Sequence, residues 1–462
     1  MDTTYNVKFW KTSVYKGSRK TTYTVRWELD GKEWRQPCAT AALADSFRAG
    51  LLTAARRGEA FSLATGRPIA HRSGAADVNW YAFAVRFCDH QWARTSGNNR
   101  KNVAKALMTT TIALLRARPS GFESIDIRRA LREYAFNTRR REEAPPEMAA
   151  ILKWVERNAL SMGSWEDPVK VDEVLRALST LLDGSAAAAS SIKRNRRILN
   201  VAMEYAVKHR VLRSNPLPKG KGTAPKTSSA VDKRSLLNRS QAAHLLSWVR
   251  RRRRGGSRLH PFFATMYYAG PRPEEAVAMD VIDVRLPDED AEDQWGELLL
   301  HTAQPEVGKH WTDTGEVHEE RGLKGRAEDD MRSVPCRPAL TKILRNHIEA
   351  EGLKPGDRLF RGEAGEMLAG SVIRRAWGRA RKEVLSPEEY ASPLGKRVYD
   401  LRHTCLTNWL NDGVPPAQVA DWAGNSVPVL LAIYARCVTG HLHDLKRRIE
   451  RGGELPEVDA DH

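Results

Sequence analysis

Apolar and polar positions change period several times along this chain. Between residues 5 and 39 they alternate. Tyr5–Trp10 and Thr21–Trp27 read as strands, and Lys32–Gln36 returns after the hairpin signal Asp30-Gly31. A helical pattern follows over Ala39–Arg57, with Thr40 placed to cap it. The expected product is a three-stranded sheet backed by one helix, a small domain over residues 1–65. Gly66–Ala75 reads as a linker. From Asp77 to about Val211 the period is helical, as in the stripe Trp80, Phe83, Ala84 and Phe87 and its continuation in Val103, Ala106, Leu107 and Leu114. Further helices are expected over Ile125–Phe136, Pro146–Glu156, Pro168–Leu182 and Ser190–His209, giving an all-helical domain over 75–213. Residues 214–234, rich in Pro, Gly, Ser and Lys, form the clearest linker.

Beyond the linker the pattern is mainly helical with a small sheet. An apolar run, Leu259–Tyr268, leads into Gly270-Pro271-Arg272-Pro273, and Pro273 suits the first turn of a helix reaching Met279. Asp280–Val284 and Leu298–Thr302 read as strands. Leu323-Lys324-Gly325-Arg326 precedes an acidic turn and a return strand at Arg332-Ser333-Val334-Pro335. Near the other end, a helix-like run carries Arg402 and His403. The breaker Gly413-Val414-Pro415-Pro416 follows, and a second run ends at Gly424-Asn425-Ser426. A third presents Tyr434. Residues 451–462 form an acidic tail. The fold class is therefore multidomain α+β.

Charge adds a partner. Lys and Arg total 75 against 57 Asp and Glu, a formal +18 with pI about 9.8. A basic excess over a normal acidic content favours a folded protein that meets a polyanion, although an ordinary basic enzyme has the same composition. Three features could serve nucleic acid: Arg26 and Arg35 on the N-terminal sheet, Lys193, Arg194, Arg196 and Arg197 on one helix, and the run Arg250–Arg254. A solvated face is the competing reading for each. The five cysteines lie far apart without a CxxC spacing, which reads as free thiols. Neither an apolar leader nor a stretch approaching the ~18 residues of a membrane span stands out, so a cytoplasmic protein with no membrane partner is expected. No phosphate-cradling GxxxxGK[ST] loop or paired-carboxylate metal signature occurs, and neither cofactor nor metal is expected.

Arg272 sits at a helix start, where backbone N–H groups favour a phosphate. Glu275, one turn on, is placed to orient it. Two arginines, a polar donor at Asn425 and a late tyrosine fit one chemistry: the arginines hold a phosphate and the tyrosine attacks it. Packing against Leu430, Leu431 and Ile433 is the alternative for Tyr434.

The ordered set Gly270-x-Arg272-x-x-Glu275, Lys324 before an Arg-x-Val-Pro strand, Tyr399-x-x-Arg402, Gly424-Asn425 and Tyr434 resembles the tyrosine recombinases of the phage-integrase family. It departs from their signature at Tyr399, where His is usual, and at Asn425, where His or Trp is usual. The resemblance covers residues 235–450 by motif and residues 1–214 by architecture alone: an arm-type DNA-binding domain, then a helical core-binding domain. It implies a site-specific DNA strand transferase acting through a 3′-phosphotyrosyl link on Tyr434. Arg272 and Arg402 would grip the nonbridging oxygens. Lys324, with Lys309 as runner-up, would be the general acid. His403 and Tyr399 would accept or relay the tyrosine proton, and Asn425 would donate to the phosphate or to Tyr434. No cofactor is implied. The implied partners are double-stranded DNA attachment sites, three further copies in a homotetramer, and an excisionase or a host DNA-bending protein. Leu442–Ile449 would dock on a neighbouring protomer. A catalytically decayed DNA-binding protein and a type IB topoisomerase-like enzyme are the rivals.

Overall fold

The structure, a computed structural model, describes residues 3–17, 21–68, 78–117, 121–219, 230–323, 330–434, 437, 446, 447 and 450. Two compact units divide the chain, Met1–Thr227 and Ser228–His462.

In the first unit, Thr21–Leu29 is the central strand of an antiparallel sheet. Lys32–Cys38 lies along one side, pairing Trp34 with Trp27. Asp30 and Gly31, at φ 45° and 86°, make the tight hairpin turn between them. The other side is occupied by two pieces, Val7–Phe9 and Ser13–Lys16. The sheet therefore has four strands, not three: one edge is broken between Phe9 and Ser13, and the strand after the break was not expected. The helix Ala41–Arg56 covers one face, with Thr40 Oγ1 accepting from the Leu43 amide at 3.3 Å. Alternation puts Val25, Trp27 and Leu29 under that helix against Ala44, Leu51, Ala54 and Phe61. Tyr5 and Tyr15 remain exposed.

The helical part of this unit comprises Trp80–Trp92, Gly97–Ala113, Ser124–Ala130, Pro146–Asn158, Pro168–Ser179 and Ala189–Lys208. The stripe Trp80, Phe83, Ala84, Phe87 is fully buried. Ser124–Ala130 continues into a π-turn, Leu131–Ala135. The helix expected to reach Leu182 stops at Ser179. Asp183 accepts from the Ser185 amide and Leu181 N donates to Ser185 O, a local turn that competes with the helix.

In the second unit, helices Arg239–Arg250, Gly256–Tyr268, Pro338–Ala350, Gly370–Val384 and Tyr399–Asn411 surround a core that includes Phe262, Phe263, Phe360, Trp377 and Leu401. A three-stranded antiparallel sheet runs in the order Arg332–Cys336, Gly296–Leu300, Val284–Arg285. Two expectations change here. Asp280–Val284 is mostly a 3₁₀ turn, because Asp280 and Asp283 cap each other's backbone. The helix after Arg272 spans only Pro273–Ala276 before tighter turns bury Val277, Ala278 and Met279. Pro416–Ala423 and Val427–Tyr434 complete the unit around Leu406, Leu410, Val419, Ala420, Ala423 and Leu430. Among the described residues no helix is long and apolar enough to cross a membrane.

Candidate active site

Four separated stretches meet where the Pro416–Ala423 helix ends. Its last carbonyls have no partner within the helix, and such a terminus carries partial negative charge. Two arginines take that position. Arg402 donates through Nη2 to Ala423 O at 2.7 Å and through Nη1 to Gly270 O at 2.5 Å. Arg272 donates through Nη2 to Gly424 O at 2.8 Å and to Asn425 Oδ1 at 3.1 Å. Gly424 makes this convergence possible. At φ 61° it closes the helix in the left-handed region, and a Cβ there would overlap the Arg332 guanidinium.

Glu275 is the only carboxylate among these guanidinium groups in the described residues, and it is 1% exposed. It accepts from Arg272 Nη1 at 2.5 Å and from Arg332 Nη2 at 2.7 Å, and it also accepts from the Arg272 amide. Burial alone would raise its pKa, but Arg332 and Arg272 outweigh that and hold it at about 2. Arg332, itself 1% exposed, has its pKa lowered, by burial first and then by the neighbouring arginines, against the pull of Glu275. Three arginines around one carboxylate leave an excess of two positive charges. Arg332 Nε and Arg402 Nε are buried donors with no acceptor among the described residues.

Arg332 did not stand out in the sequence, where it only marked the start of a strand. The available signal was register. Arg332, Val334 and Cys336 occupy the buried positions of their strand, so an arginine there implies a buried anionic partner.

Tyr434 lies on the core side of the Val427–Tyr434 helix, 1% exposed, and its hydroxyl is 2.9 Å from His403 Nδ1. Burial pushes the phenol pKa well up; Arg402 opposes this and Tyr399 adds to it. Burial, then Arg397 and Arg402, lower the His403 pKa to about 4, so the imidazole is neutral at pH 7 and has a lone pair available to the phenol. Tyr399 packs edge-on against His403, centroids 4.9 Å apart, and beneath Arg402, but its ring does not reach Tyr434's hydroxyl through a hydrogen bond. Of the two residues expected to relay the tyrosine proton, His403 makes the contact. Asn425 was expected to donate to the phosphate or to Tyr434; its side-chain carbonyl accepts from Arg272.

Lys324 and Leu442–Leu445 lie outside the described residues, as do Arg448 and Ile449, most of the 214–234 linker and the acidic tail. The strand Arg321–Gly322, paired with Thr302–Ala303, ends two positions before Lys324 in the sequence. Lys309 is exposed in a loop.

Among the candidate DNA contacts, Lys193, Arg194 and Arg197 are exposed and Arg196 is half-buried on the Ala189–Lys208 helix, while Ile198 and Leu199 face the core. Arg26 and Arg35 are cross-strand neighbours on the uncovered face of the sheet. Arg26 is already bound to Glu33 at 2.6 Å and stacks over Trp10.

No protein-family model matches the sequence, and no curated protein matches it. Solved structures do show likeness. The Tn1549 transposon integrase in complex with transposon right-end DNA is 17% identical, covering 69% of this chain and 97% of that one, at a TM-score of 0.49. The XerH site-specific recombinase bound to its difH substrate is 14% identical, covering 77% and 96%, at 0.43. XerA recombinase is 14% identical, covering 69% and 95%, at 0.30. Likeness of this depth decides no activity, which leaves the side-chain geometry to carry the functional reading.

Proposed function

We propose that this protein is a tyrosine-type site-specific DNA recombinase that cuts and rejoins the DNA of a mobile element. The observation that carries the reading is the Tyr434–His403 hydrogen bond beside an arginine cluster with surplus positive charge. A neutral histidine against a tyrosine hydroxyl is a base beside a nucleophile. Buried guanidinium groups in a fixed arrangement are suited to charge that grows on a phosphate.

The buried state described here would first open, because Tyr434 and Arg402 are both only 1% exposed. A bound phosphodiester would then replace Ala423 O and Gly424 O as acceptors for Arg402 and Arg272. The Tyr434 oxygen attacks phosphorus and forms a P–O bond to the 3′ side. Its proton passes to His403, whose basicity the phosphate's negative charge raises. The bond to the 5′ oxygen breaks, and that oxygen takes a proton from Lys324. The phosphotyrosyl ester retains the bond energy, so a 5′ hydroxyl from another strand can reverse the step. Glu275 and Arg332 hold Arg272 in place and do not react. We assign residues 1–65 and 75–213 as DNA-clamping domains, 235–450 as catalytic, and the active assembly as a homotetramer on two duplexes.

Covalent trapping tests this. Nicked duplexes from the element's ends are mixed with the full chain, and an SDS-resistant adduct is expected with wild type and none with Tyr434→Phe. Site binding without an adduct at any nick position would instead support a DNA-binding protein that has lost its chemistry. Adducts on every duplex regardless of sequence would support topoisomerase-like action.

A further inference from the structure

A second group of arginines lies at the opposite end of the Gly256–Tyr268 helix from the Tyr434 site. The helix Arg239–Arg250 ends within the arginine run, and Gly255, at φ 71°, turns the chain into the next helix. Gly256 is needed at the turn as well, since a Cβ would come within 2.8 Å of Arg250 O and Val249 O. The turn places Arg252 and Arg253 beside Arg375 and Arg379, one helical turn apart on the Gly370–Val384 helix. Between them is an open cavity of about 680 Å³.

The carboxylates at this cavity do not neutralise those four side chains. Glu363 is bound by Arg254 at 3.2 Å, and Glu366 accepts from the Ala364 amide. Arg258 and Arg361 are tied to Glu351 and nearby carbonyls. Arg252, Arg253, Arg375 and Arg379 have no carboxylate partner among the described residues. Arg252 lies over the Trp248 ring, and burial followed by repulsion from Arg379 lowers its pKa. Like charges held together around an open cavity, without a carboxylate partner among the described residues, call for an anion from outside.

We propose that this cavity is a second phosphate-binding site, which holds backbone phosphates of the same duplex that Tyr434 attacks. The inference rests on the DNA reading. The 13-residue helix between the two sites is roughly 20 Å long at its usual rise. At 3.4 Å per base pair, the phosphates held here lie within about six base pairs of the cleaved one. Such contacts add affinity and fix orientation without reading sequence.

The test is the salt dependence of duplex binding by the full chain, comparing wild type with Arg375→Ala/Arg379→Ala. The double variant is expected to flatten the log–log slope by about two and to weaken binding to related and unrelated duplexes alike. Arg285→Ala, an exposed arginine on the sheet, is the control and should leave the slope unchanged. An unchanged slope in the double variant, or an equal loss in the control, overturns the proposal. So does calorimetric binding of inorganic triphosphate that the double variant loses while its DNA slope stays as in wild type, since a free polyphosphate would then be the ligand. Neutral methylphosphonate linkages, placed singly and used with wild-type protein, avoid any folding defect of the variant. At least one position within about six base pairs of the cleaved phosphate must weaken binding for the proposal to stand. Wild type that binds no duplex would defeat the DNA reading itself, whereas binding with an unaltered slope defeats this site alone.

Discussion

Two arginine clusters in the second unit differ in how they are held. Around Glu275, Arg272, Arg332 and Arg402 are each fixed by a carboxylate or by backbone carbonyls, and all three are buried or nearly so. At the cavity lined by Arg252 and Arg379, those two with Arg253 and Arg375 have no carboxylate partner among the described residues. Fixed guanidinium groups can be aimed at charge that develops during a reaction, because their reorganisation cost is met during folding. Guanidinium groups without a carboxylate partner can take phosphates on a duplex in exchange for counterions, which gives affinity and a steep salt response. On the two proposals, identical chemistry serves positioning in one place and attraction in the other, and how the guanidinium groups are paired marks the difference.

Removing that carboxylate is the severest way to break the contrast. Glu275→Gln leaves Arg272 and Arg332 buried without their counter-charge and should destabilise the protein by about 3–5 kcal/mol, read by denaturant unfolding. A loss below about 1 kcal/mol would mean that the site cluster is no more tightly held than the cavity. Arg402→Lys keeps the charge but loses the paired donors. Adduct formation should fall on the order of 10²–10³-fold while duplex binding changes little. Gly424→Ala forces a side chain into the left-handed region against Arg332, and a stability loss of about 2 kcal/mol is expected in a thermal melt. The smallest effect is a pH response. The folded-state pKa of His403 is depressed from 6.5 to about 4, so its contribution to stability is present above pH 6.5 and is lost as pH falls toward 4. Wild type should lose on the order of 2 kcal/mol more than His403→Gln across that window. Equal losses would place the histidine in water.

How far the sequence reached follows from what was local. The stripe of Trp80, Phe83, Ala84 and Phe87 needs only a 3.6-residue period, and its burial was legible. Thr40 and Pro273 were legible for the same reason, since caps act within one turn. Arg272, Glu275, Arg402 and Tyr434 could be picked out by the ordered motifs of the resemblance and His403 by its place beside Arg402, and the fold brings them together. For Arg332 only strand register hinted at burial, and its partner, Glu275, lies 57 positions earlier. The contact of Asn425 with Arg272 could not be read either, because the two lie 153 positions apart. The split edge of the N-terminal sheet depends on a break between Phe9 and Ser13 that alternation does not encode.

The burial of Tyr434 has a consequence for evolution and engineering. The side chain proposed above as the nucleophile belongs to the same apolar cluster, Leu406, Leu410, Val419, Ala420, Ala423 and Leu430, that fastens the Val427–Tyr434 helix. Each increment of packing there makes the nucleophile harder to release, and each loosened contact makes it easier. If Tyr434 is the nucleophile, as proposed, a thermostabilised variant selected on this cluster would be a slower enzyme, and a hyperactive variant would betray itself by melting early.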